Sequence, residues 1–248
     1  MSSQSPVSVH EQFAEFAIRT AFEALDSVET HDASQSQVLA LGFYATILEL
    51  SAGALTLVQA RRYAGVPVLL RSVYEAHLDL HNLVADPDYS LNIEAADAAQ
   101  QLRLMDAAQS NRLLAGVPFD PLSQADRFRQ RLAELKQLGR VPLEIKERAA
   151  RAGRSEVHAA AYGLMCLDAH NNASAIADRH FAEENGRHIV TFFGEPHVPS
   201  LRGRLYWLIR IVVESTSVLH AAFGSDSVVA RDLRNRFEAE KGSLARTV

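Results

Sequence analysis

Apolar residues in this chain recur at intervals of three and four almost throughout, and that period is what most limits its fold. Phe13, Phe16, Ala17, Ala21 and Ala24 share one face of a helix predicted over residues 8–28. A second, more apolar helix is predicted over 34–62, with Leu39, Phe43, Ile47, Leu50, Leu57 and Val58 inward and small residues such as Gly42 and Gly53 allowing close packing. Pro67 suits the first turn of a third helix, because its missing N–H is not needed there, and Pro87 stops that helix near residue 85. Further helices are expected over about 90–114, 123–138, 142–151, 155–177, 200–223 and 227–240, with a loop at 116–121. Only residues 187–193 read as β-prone, so an irregular or hairpin insertion is expected near 186–199. The expected fold is all-α: a single-domain bundle of about seven to nine helices over residues 1–248, with its core over about 8–223 and a C-terminal helix at 227–240.

Composition narrows the function classes. Hydrophobic residues make up 48 % and charged residues 22 % of the 248, which argues against wholesale disorder. The formal charge of −5 is not the basic excess of a dedicated nucleic-acid binder. Locally, Arg127, Arg129, Arg131, Lys136, Arg140, Lys146, Arg148, Arg151 and Arg154 face only Glu134, Glu144 and Glu147, a modest basic stretch. One cysteine, Cys166, excludes an intramolecular disulfide and a multi-cysteine zinc site; it suits a reducing cytoplasm and, mid-helix among apolar neighbours, reads as a core residue. Residues 1–9 lack the basic start and apolar run of an export signal. The segment 205–223 reads as the most apolar, but Arg210, Glu214 and His220 make it a buried helix rather than a membrane span. The expectation is a cytoplasmic protein without a membrane segment, whose long apolar second and eighth helices would suit a homodimer.

The polar residues isolated on apolar helices are the candidates for a site. The third helix carries Arg71, Glu75, His77, Asp79 and His81; Arg71 and Glu75 stand at i, i+4, the spacing of an ion pair. Glu49, Glu214 and His170 are each solitary polar groups in apolar surroundings. Buried carboxylates need a partner, so Glu49, Arg71, Glu75, His170 and Glu214 are expected to meet in one internal cluster able to hold a small ligand, or else to be satisfied separately. His77 and His81 have the i, i+4 spacing of two metal ligands, although ten histidines make such a pair common by chance and a third ligand is missing. No Glu-x-x-His pair supports a di-metal carboxylate bundle, and phosphate-loop, dinucleotide, nucleophile-elbow and His-Glu-x-x-His motifs are absent. The spacing names no cofactor.

Two resemblances add to this. Leu69-Leu70-Arg71-Ser72-Val73-Tyr74-Glu75-Ala76, with Asp86-Pro87 after the helix and a segment from Tyr162 to His170, resembles an uncharacterised bacterial all-helical family with a Leu-Leu-Arg-Ser-x-x-Glu-Ala motif and a later Tyr-x-x-Leu-x-x-x-x-His segment. Asn171-Asn172 departs from that pattern. The resemblance covers about residues 38–223 and implies Arg71, Glu75 and His170 as site residues, without a substrate. Separately, Arg71 with His77 and Arg151 with His158 match the Arg-x(4–6)-His signature of the HEPN superfamily of helical ribonucleases. In that reading histidine moves the proton, arginine steadies the phosphate, and the chain is a toxin or phage-defence effector acting on RNA. A third reading is a structural or interaction scaffold whose polar cluster only fixes helix register.

Overall fold

A computed structural model describes residues 6–110, 121–163, 165–166, 173–192, 194 and 198–246. Helix α1 spans Pro6–Ala24, α2 Gln35–Gln59, α3 Val66–Ala85, α4 Tyr89–Ser110, α5 Pro121–Gln137 and α6 Ile145–Arg151. A short α7, Ser155–Val157, runs into a π-helical turn at His158–Tyr162. Then come α8 Ala173–His180, a hairpin of β1 Phe181–Glu184 and β2 Arg187–Val190, α9 Val198–Ala222 and α10 Val228–Arg246. The fold is the expected all-α bundle.

The core lies among α1, α2, α3, α9 and α10, where Tyr44, Ile47, Leu48, Leu70, Leu78, Leu205, Val212 and Leu233 are buried. Ser34 starts α2 with a capping box closed by Gln37. The Tyr44 hydroxyl lies 3.1 Å from the Ala21 carbonyl and 2.8 Å from the Thr216 hydroxyl, joining α1, α2 and α9 at one buried point. At Gly65, before α3, a Cβ would sit 2.7 Å from a Leu57 methyl, so a larger residue there would push that leucine side chain aside. Helices α4 and α5 pair beside this core, clamped by Arg131, whose Nε and Nη2 donate to Glu94 at 2.6 and 2.8 Å.

Several expectations need correction. The hairpin begins at Phe181, earlier than expected, because Asn185 and Gly186 take φ of 51° and 73° and form a two-residue turn that pairs Phe181 with Val190. The last helix runs on to Arg246, since Leu244 is buried and its carbonyl accepts from His10 Nε2 at 3.1 Å. The predicted helix over 155–177 is interrupted by the π-turn, and α8 starts at Ala173. Its middle, the loop at 116–121 except Pro121, and the end of the fourth helix at 111–114 lie outside the described residues. Cys166 is half-buried rather than a core residue. Among the described residues, α2 rather than 205–223 is the one helix long and apolar enough to cross a membrane; its inner face packs in the core.

Candidate functional site

Helix α3 is the spine of the polar interior. Its side chains meet partners on three sides, which divides the single cluster expected from the sequence into three adjoining ones. On the first, Arg71 Nε donates to Glu75 Oε1 at 2.9 Å, the Tyr162 hydroxyl donates to the same oxygen at 3.1 Å, and the guanidinium lies over the Tyr162 ring. Both charged side chains keep about a third of their surface exposed. Burial first, then the neighbouring Cys166 and Glu75, pushes the Tyr162 hydroxyl well above its usual range.

On the second side, Asp79 receives Arg148 Nε at 2.8 Å and Nη2 at 2.5 Å, and the Tyr89 hydroxyl at 2.6 Å. Arg148 also donates to the Glu75 carbonyl, while its own carbonyl accepts from Asn82. This fork docks α6 on α3.

The third side is the most enclosed. His77 and His81, one turn apart, meet edge to face with ring centroids 4.4 Å apart. Helix α9 brings Glu214 and Ser215 against them. Ser215 Oγ lies 2.8 Å from His77 Nδ1, and Glu214 Oε2 lies 3.6 Å from His77 Nε2. Arg210, one turn before Glu214, donates Nε to Oε1 at 2.8 Å. Arg154 follows Gly153, whose φ of 66° turns the chain after α6, and reaches in between the two helices. Its Nη1 lies 2.8 Å from Glu214 Oε2 and its Nη2 lies 3.2 Å from His81 Nε2. Arginine only donates, so His81 Nε2 accepts and carries no proton. The ligand atoms of His77, His81 and Glu214 lie within 4.8 Å of one another.

The electrostatics follow from this packing. Burial, and then His77 and Arg154, push His81 down to about 3 against the pull of Glu214. Burial also lowers His77, with Glu214 opposing and Arg154 and Arg210 reinforcing. Burial alone would raise Glu214, but His77, Arg210 and Arg154 together hold it near 2. Two neutral imidazoles thus sit with one carboxylate between two guanidiniums. Their acid response has a definite sign. An unfolded histidine takes up a proton below about 6.5 and the folded His81 does not, so its contribution to stability is whole above that pH and declines towards 3. Chemical unfolding measured between pH 7 and 5 should show stability falling as the pH drops. His81→Gln should reduce that slope by on the order of 1 kcal/mol per pH unit. An unchanged slope would count against burial of a neutral His81.

The residues singled out from sequence therefore divide. Arg71 and Glu75 pair, but they turn to Tyr162 and not to Glu214. Glu49 is exposed: its neighbours Ile47 and Leu48 face the core, and one further step of the helix carries it outward. His170 lies outside the described residues. Arg151 reaches Asn92 and Asp86 over the Tyr89 ring, whereas His158 stacks on Tyr162 and Tyr74, so that pair has separate partners. Six of the nine basic residues of the stretch pair with carboxylates among the described residues: Arg129 with Asp106 and Asp126, Arg131 with Glu94 and Glu134, Arg140 with Asp86 and Asp88, and Arg148, Arg151 and Arg154 as above. Sequence reasoning missed Arg154 and Ser215 as site residues. The left-handed glycine before Arg154 was a usable signal for the first; a buried serine beside a solitary glutamate was a weak one for the second.

The profile of a family of unknown function, DUF5677, matches residues 37–188. The chain belongs to the DUF5677 family. No curated protein and no solved structure matches it. The DUF5677 match takes in α2 to β1 and carries Arg71, Glu75, His77, His81 and Arg154. Arg210, Glu214 and Ser215 lie beyond it, so the enclosed cluster joins residues from the matched region to a helix outside it.

Proposed function

We propose that the chain is a metal-binding protein of the cytoplasm, holding one first-row transition ion through His77, His81 and Glu214. The observation that carries this reading is the convergence of two neutral imidazole nitrogens and an ionised carboxylate, from two helices, on one enclosed point. Two histidines and a carboxylate form a ligand set suited to zinc or to iron(II), with further positions left for solvent. The third ligand missing from the His77–His81 pair is supplied by α9. Ser215 supports the set as an outer partner: its hydroxyl can accept from His77 Nδ1–H, the tautomer that leaves Nε2 unprotonated and able to bind an ion.

Arg154 is the counterpart of this site. Its guanidinium already bridges His81 Nε2 and Glu214 Oε2, so it fills with a fixed cation the place the ion would take. About a fifth of its side chain is exposed, which leaves it a route outward, and Glu214 would keep Arg210 when Arg154 withdraws.

Titration of the chelator-stripped full chain with Zn²⁺, in competition with a chromophoric chelator, tests the reading. One equivalent should bind to the wild type. His77→Ala with His81→Ala should weaken binding at least 100-fold, and Arg154→Ala should tighten it about tenfold by removing the competing cation. If the wild type and Arg154→Ala bind no better than the double-histidine variant, the reading fails.

A further inference from the structure

Tyr74 lies three residues before His77 on α3, so it looks onto the same side of the helix as His77 and His81. It is 1 % exposed, and its hydroxyl meets no hydrogen-bond partner. Other tyrosines in the polar interior are served: Tyr44 by Ala21 and Thr216, Tyr89 by Asp79, Tyr162 by Glu75. A buried polar atom without a partner is uncommon and calls for an occupant.

The space beside it has a definite size. Tyr74, His77, Arg154, Arg210 and Glu214 line a cavity of about 10 Å³, enough for one water and for nothing larger. Its walls bring donors and acceptors from three elements, α3, the turn before α7, and α9. Tyr74 lines this cavity and its hydroxyl has no other partner, while burial raises that hydroxyl to about 12 and Arg154 eases the rise. The hydroxyl therefore stays protonated and able to donate.

Resting on the metal reading above, we infer that this cavity holds a solvent ligand of the ion and that Tyr74 is the positioning residue that hydrogen-bonds it. The three protein ligands leave coordination positions open, and the cavity lined by two of them, His77 and Glu214, is where solvent can fill one. Hydrogen-bond partners in the outer shell of a metal commonly carry 10–100-fold in affinity.

The test is Co²⁺ binding to the full chain and to Tyr74→Phe, followed by the visible absorption of the bound ion, with thermal unfolding of both apo forms. Phenylalanine keeps the ring and deletes only the unpartnered hydroxyl. The apo melting temperature should therefore stay level or rise, whereas Tyr44→Phe, which loses real hydrogen bonds, should lower it. Tyr74→Phe should bind Co²⁺ about tenfold more weakly and show an altered visible band. If both chains bind Co²⁺ with the same affinity and spectrum, the role of Tyr74 is overturned and the metal site stands. If neither chain binds Co²⁺, the metal site falls and Tyr74 with it. A drop in the apo melting temperature of Tyr74→Phe as large as that of Tyr44→Phe would show the hydroxyl engaged within the fold, and would also overturn the inference.

Discussion

Replacing Arg148 by methionine should cost about 3–5 kcal/mol of folding stability, one of the largest effects of any single substitution in this chain. Asp79 and Arg148 are each less than a fifth exposed, and their forked pair is the main polar tie between α6 and α3. Methionine keeps the aliphatic stem but leaves the Asp79 carboxylate with only the Tyr89 hydroxyl for a donor and frees the Glu75 carbonyl. An unbalanced buried charge is much worse than no charge. The double variant Asp79→Leu with Arg148→Met should therefore recover most of the loss, since both halves of the desolvated pair disappear together. Urea unfolding of the two singles and the double closes the cycle. If the double is as unstable as the sum of the singles, the pair is not what holds α6.

Replacing Glu214 by alanine should cost about as much, near the lower end of the same range because a quarter of the side chain still reaches solvent. The reason differs. One carboxylate serves two guanidiniums and an imidazole, so its loss leaves Arg154 and Arg210 as like charges at close quarters beside two histidines that burial keeps neutral. Salt should relieve this variant more than the wild type, because screening acts on the new repulsion. Denaturation at low and at about 0.5 M salt measures it. A cost under about 1 kcal/mol would mean that the arginines swing free into water and that Glu214 is not the hub of the cluster.

How far the sequence foretold all this depended on the distance between partners. The helices of the core were legible because their signals are local: the 13, 16, 17, 21 spacing of α1, Pro67 at the start of α3, Pro87 just beyond its end. The Asn185-Gly186 turn was equally local and available, but the β-prone run after Gly186 drew the expected insertion too far along the chain. The π-turn at His158–Tyr162 carries no comparable mark in composition, and a helical pattern runs through it unbroken. Within the site, solitary polar residues on apolar helices drew attention to Arg71, Glu75, His77, His81 and Glu214, each of which meets polar partners inside the bundle. Their pairing was not legible, because His77 meets Glu214 from the far end of the chain, and which face of α3 turns towards α9 rather than α6 is settled by the packing of the whole bundle. Glu49 shows the converse: one step of 100° separates a core leucine from an exposed glutamate, a margin that apolar neighbours on every side conceal.

The contact of α1 with α9 and α10 bears on how the chain is made. A ribosome delivers α1 well before α9, yet much of the apolar face containing Phe13, Ala17 and Ala21 is covered by helices that begin only at Val198. At about 5–20 residues per second, roughly 10–35 s pass between the two events. Through that interval, among the described helices it is chiefly α2 that can shield the first helix, and the bundle cannot close. Nascent chains stalled before α9 should thus remain sensitive to proteases and bind holdases, while chains in which α9 and α10 have emerged should not.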